Sequence, residues 1–157
     1  MYNREKAVAY AHKWAYGSNP AFADFSMMGG DCTNFLSQCL YAGGLPMVYR
    51  PVTGWFYGSL AYRAPAWSGV QPFYNFMTGR QGDTPYVRET VLEEMEIGDV
   101  IQISFDGGNR FSHGFFVVDV GEHTPDTVLG ATHTENSDYR PLSHWAGAVW
   151  RCLHVIK

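Results

Sequence analysis

No stretch of this chain is long and apolar enough to cross a bilayer, and none reads as the charged-then-apolar leader of a secreted precursor. Charge is scarce: Asp, Glu, Lys and Arg make up 17% of 157 residues, and the net charge is −4. That balance gives polyanions no electrostatic hold, which argues against nucleic acid or an anionic membrane surface as a partner. Cysteine is scarce and odd in number. Cys32, Cys39 and Cys152 form neither an even set nor a CxxC pair, so a disulfide framework and a structural zinc site are both set aside, and at least one thiol is free or paired with another chain. Internal repeats, low-complexity tracts and charge blocks are missing too.

What is present is apolar surface. Hydrophobic residues are 46% of the chain and aromatics 16%, enough for one domain over residues 1–157 with a substantial core and, in addition, an aromatic-lined groove. "NREKAVAYAHKWAYG" predicts a first helix, with Asn3 as N-cap, Ala7, Ala11 and Trp14 on one face, and Gly17 as its stop. "DCTNFLSQCLYAGG" predicts a second, capped by Asp31 and ended by Gly43 and Gly44. The Pro- and Gly-broken segment from Leu45 leads to a third, "SGVQPFYNFMTG", where Ser68 and Gln71 have capping-box spacing. From Asp99 the period changes. "DVIQISF", "RFSHGFFVVDV", "TVLGATHT" and "AVWRCLHVI" read as strands separated by turns, which predicts an α+β fold with N-terminal helices packed on an antiparallel sheet.

Cys32 stands at the first step of the second helix. Unpaired backbone N–H groups and the helix dipole there favour a thiolate, and the same N–H groups can bind an oxyanion. A nucleophilic cysteine needs a base, usually histidine. Of six histidines, His113 and His133 fall within predicted strands, each ten residues from His123 in the turn between them. A hairpin centred on His123 would set them opposite one another on one face, so that one imidazole orients the other. A one-residue change of register would part them. The bland reading of each histidine alone is a core residue bonded to backbone, and that of Cys39 and Cys152 is small buried apolar residues. A metal site from His113, His133 and His144 is the alternative, but no HxxxH or HExxH spacing supports it, and no cofactor is implied.

Taken in order, "GGDCTNFLSQCLYAGG", "EIGDVIQISF", "SHGFFVVD" and "THTENSDYRPLS" resemble the putative amidase domain family, which is similar to the NlpC/P60 group of papain-like cysteine peptidases. "YNREKAVAYAHKWAYGSNPAF" and "AWSGVQPFYNFM" extend the likeness over nearly the whole chain. The resemblance implies a papain-like fold, Cys32 as nucleophile, His113 as base and His133 as third member of a triad. Asp31 matches an acidic residue before the nucleophile, in a supporting role, and Asn136 and Asp138 are the alternative third residues. It also implies a peptide or peptidoglycan-like substrate and a domain of an exported or cell-wall-associated bacterial protein. The function expected is a cysteine amidase or peptidase working through a thioester, with the aromatic segment, notably Trp55, Trp67 and Tyr74, as one wall of the groove. Two alternatives stand beside it: an acyltransferase of the transglutaminase type, and a peptide- or glycan-binding module without turnover.

Overall fold

Asn3 begins the ordered structure as foreseen. In the computed structural model, which describes residues 1–157, its side chain accepts from the Lys6 N–H at 2.9 Å and starts helix α1, Arg4–Trp14. Helix α2 is Cys32–Ala42, ending at Gly43. Two short helices follow, α3 (Pro65–Ser68) and α4 (Val70–Met77). The capping box expected between Ser68 and Gln71 is not formed. Ser68 closes α3 and accepts from Arg63 Nε, Gly69 separates the helices, and Gln71 donates along α4 to Asn75.

Six strands make one sheet: β1 (Val87–Thr90), β2 (Val100–Ser104), β3 (Phe111–Asp119), β4 (Leu129–Thr132), β5 (Ser137–Pro141) and β6 (Val149–Val155). Their order is β1-β6-β2-β3-β4-β5 and every neighbouring pair is antiparallel. The fold is α+β, as the order of periods predicts. β1 and β5 were not foreseen; they are the two outer strands, short and rich in charged or polar residues, as edge strands tend to be.

Alternate residues of the central strands feed two cores. Val100, Phe116 and Leu153 pack with the helices, together with Phe35, Leu36, Leu40, Trp55, Trp67 and Phe76. Ile101, Ile103, Phe115 and Val117 form a second cluster on the other side with Met95, Val128 and Leu142. No helix is long and apolar enough to cross a membrane.

Two features place the site. A Cβ on Gly114 would come within 2.5 Å of Leu36 Cδ1, so the glycine of "SHG" is what lets α2 lie close against β3. The pairing of Ile103 with His113 and of Ser104 with Phe111 leaves Ser112 as an extra residue on β3, a bulge immediately before His113. The chain ends also meet: Tyr2 N–H donates to Lys157 O at 3.4 Å, and Arg4 donates to Val155 O at 2.7 Å.

Candidate active site

The N–H groups of Cys32, Thr33 and Asn34 precede the first helical hydrogen bond of α2, which runs from Phe35 N–H to Asp31 O at 3.0 Å. Cys32 is 7% exposed. Burial pushes its thiol up from the ordinary value; hydrogen bonds from the Thr33 hydroxyl and from the N–H groups of Gly114 and Thr33 pull the other way, and the Asp31 charge adds to the upward push. Loss of water thus opposes the thiolate that the helix start favours. The Gly114 N–H at the sulfur belongs to the residue after His113, so α2 delivers Cys32 to the backbone of the strand that carries the histidine.

His113 is buried, and burial pushes it down to about 4, with Glu135 pulling upward and Arg140 and His144 adding to the fall. Thr132 Oγ1 lies 2.9 Å from the carbonyls of both Gly114 and His133 and 3.1 Å from His113 Nε2. The hydroxyl's single proton goes to one of those carbonyls, so it accepts from His113 Nε2–H; this tautomer follows from the hydrogen-bond network. Nδ1 is left unprotonated and makes no hydrogen bond, and the ring and the Cys32 sulfur make none to each other. Both groups rest in their neutral forms.

The ring opens on a hollow of about 300 Å³ lined by Phe105, Ser112, Thr134, Glu135 and Trp145. Ser112 also borders a second hollow of about 620 Å³, with Gly29, Gln71, Asn109 and Arg110 on its walls. The two hollows share Ser112 at the bulge, and only the first is lined by His113.

His133 does not face His113. Phe116 pairs with Ala131 and Val117 with Gly130, whereas a hairpin centred on His123 would pair Phe116 with Gly130. The ladder carries an extra residue at Val118, and β4 ends at Thr132, so His133 lies in the following turn. There its Nδ1 is 2.5 Å from Asp31 Oδ2 and its Nε2 is 2.7 Å from Trp14 O. The residue that orients the His113 ring is Thr132, its neighbour in sequence.

Asp31 does not cap α2 with its side chain. Oδ1 accepts from Phe25 N–H at 2.8 Å and from Asn34 Nδ2 at 2.9 Å, while Oδ2 takes His133. Of the alternative third residues, Asn136 is exposed on the turn and Asp138 pairs with His12 Nδ1 at 2.7 Å. The groove reading of Trp55, Trp67 and Tyr74 is corrected: all three are buried in the core beneath α2. Their polar atoms are satisfied there, Trp55 Nε1 donating to Ser37 Oγ, Trp67 Nε1 to Asn34 Oδ1, and Tyr74 Oη to Glu89. The three histidines of the metal alternative turn to different partners, His144 to Arg140, and no group of three or more His, Cys, Asp or Glu gathers to hold an ion. Cys32, Cys39 and Cys152 are all free and buried.

Sequence reasoning missed Thr132, Gly114, Glu135 and Trp145. Gly114 beside a histidine was the one legible signal. The others depend on where the turn after β4 folds back, with Thr134 at φ 74° and Glu135 at φ 57°, a left-handed pair without glycine that no turn rule would place there.

The family model for a putative amidase domain matches residues 1–156. The uncharacterized protein YhbB of Bacillus subtilis (strain 168) is 37% identical over 141 residues, covering 88% of this chain and 44% of that protein. The chain thus spans less than half the length of that curated relative. No solved structure matches it.

Proposed function

The chain belongs to the putative amidase domain family, and we propose that within it this domain is a cysteine hydrolase of peptide-like amides, with Cys32 as nucleophile, His113 as base and Thr132 as the residue that orients the base. One observation carries the reading: a cysteine at the free N–H groups of a helix start lies against Gly114, next to a histidine whose Nδ1 is bare. In this reaction Nδ1 takes the thiol proton as sulfur attacks the carbonyl carbon. The oxyanion is held by the backbone N–H groups at the start of α2. The imidazolium then protonates the departing amine, and water, activated by the same nitrogen, hydrolyses the thioester.

Because burial opposes both charges, the thiolate forms within the encounter with substrate and not beforehand. The two hollows that meet at Ser112 suit an extended chain bound across the bulge, one side of the scissile bond against Trp145 and Glu135, the other toward Arg110. A peptide of the cell wall is the substrate class that the resemblance of the sequence motifs to NlpC/P60 enzymes would imply.

Turnover of a peptide amide by the purified domain tests this, read beside the peptide that iodoacetamide labels. Labelling at Cys32 with parallel loss of activity is expected, together with indifference to chelators. Hydrolysis that survives Cys32→Ser overturns the reading. A thiol that resists alkylation in a domain without turnover would favour the binding module instead.

A further inference from the structure

His133 is the most deeply buried histidine in the molecule. It is 2% exposed, and both of its ring nitrogens face oxygen atoms: Asp31 Oδ2 at 2.5 Å and the carbonyl of Trp14 at 2.7 Å. A neutral imidazole has one N–H and would leave one of these pairs with no proton between them. Asp31 Oδ1 accepts from two N–H donors, the arrangement of an ionised carboxylate, and opposite an ionised Oδ2 the two acceptors call for the imidazolium.

Its surroundings agree with that charge. Trp14 is the last residue of α1, where the helix dipole presents its negative end and favours a cation. The Phe35 ring lies stacked on the imidazole, centroids 4.1 Å apart and planes 21° apart, the geometry of a cation over an aromatic face. The carboxylates within reach of the ring are Asp31 directly and Asp24 at longer range. Asp31 has no other cation: its remaining partners, Phe25 N–H and Asn34 Nδ2, are neutral donors.

We propose that His133 is a positioning residue which acts through Asp31, holding a positive charge that neutralises the carboxylate next to the nucleophile and fixing that carboxylate at the start of α2. This rests on the reading of Cys32 as nucleophile. A bare Asp31 would set a negative charge one residue from the sulfur at the moment the thiolate forms. With His133 in place, the carboxylate organises the loop before α2 through Phe25 and Asn34 while adding little repulsion.

The rate of Cys32 alkylation by iodoacetamide against pH reads this directly, with the labelled peptide identified by mass. His133→Gln keeps a hydrogen-bonding group but removes the charge, and its profile should move up by about one pH unit, roughly tenfold slower at a fixed pH below the midpoint. Adding Asp31→Asn to that variant removes the carboxylate that needed neutralising, so the double variant should return to the wild-type profile. A purely structural role lowers the melting temperature and leaves the profile where it was, which overturns the proposal. So does a double variant that stays displaced, because His133 would then be serving the thiolate by its own field. If His133→Gln does not fold, His133→Asn, also neutral and able to hydrogen-bond, takes its place with the same expected displacement and the same return when Asp31→Asn is added. The profile measures thiol acidity whether or not the thiol is catalytic. Failure of the nucleophile assignment would appear separately, as activity retained in Cys32→Ser.

Discussion

Two buried aspartates, Asp99 and Asp31, each bind a histidine, and the two clusters are built differently. Asp99, fully buried, is bound to Arg4 at 2.7 Å and His154 at 2.8 Å, and also accepts from Glu96 N–H and Val155 N–H. Arg4 goes on to the carbonyls of Ile97 and Val155. That cluster joins α1, the turn before β2 and the last strand, around a guanidinium that stays charged at any pH the protein meets. Asp31 has a histidine as its only cation and sits one residue from the candidate nucleophile. The difference is instructive. The carboxylate that ties chain ends together takes a guanidinium as well as a histidine, whereas the one beside the candidate nucleophile takes an imidazole alone.

The comparison can be broken most severely at the reacting groups. Cys32→Ser and His113→Ala should each lower kcat on a peptide amide by on the order of 10⁴-fold, and Cys32→Ser should do so with little change in the melting temperature. Next comes the tie itself. Asp99→Ala leaves Arg4 and His154 facing a buried gap and should cost about 3–5 kcal/mol in urea unfolding. The alkylation profile of Cys32 should stay put in that variant, the reverse of what is expected at Asp31 and His133. A moved profile would mean that the two clusters are coupled.

Acidity sharpens the contrast further. The folded value of His113 lies near 4, below the 6.5 of an unperturbed histidine, so on acidification the unfolded chain takes up the proton first. Its contribution is complete above about 6.5 and is lost as pH falls toward 4, about 3 kcal/mol over that window. Unfolding midpoints of wild type and His113→Gln, compared at both ends of the window, should show wild type losing more. Equal losses would mean that the imidazole is less shielded from water than its burial indicates.

The smallest effect is steric. Gly114→Ala places a methyl group against Leu36 Cδ1 in a packed core, which should cost about 1–3 kcal/mol and lower kcat by moving α2 from β3. If stability falls and kcat does not, the spacing of helix and strand is not what aligns the sulfur.

Much of this was legible in residue patterns. Asn3 and Gly43 bound their helices as their chemistry dictates, and the four strands read from β-branched and aromatic runs are β2, β3, β4 and β6. Cys32 was singled out by its place at a helix start and His113 as one of two strand histidines, the resemblance naming it the base, and the fold packs α2, which carries Cys32, against β3, which carries His113. His133 was misplaced because the hairpin closes around residue 124, where Asp119 pairs with Leu129, and the bulge at Val118 brings the pairing only half of the way back before β4 ends at Thr132. The Trp-rich segment misled for another reason. A broken, aromatic stretch looks like a surface until α2 is seen to offer Asn34 and Ser37 inward, giving two indole N–H groups the acceptors that burial demands. β1 and β5 escaped notice because edge strands have polar sequences that alternation does not reveal.

The meeting of Tyr2 with Lys157 has a consequence for how such a unit is carried. Both ends of the chain leave from one spot, so any polypeptide joined before or after it departs from the same pole, and the whole domain hangs as a pendant from a single attachment point. A tether at that pole would let the body swivel without stretching its own sheet. It also makes the sequence suited to circular permutation, with a short link from residue 157 to residue 1 and new ends opened in the exposed turn near Gly107.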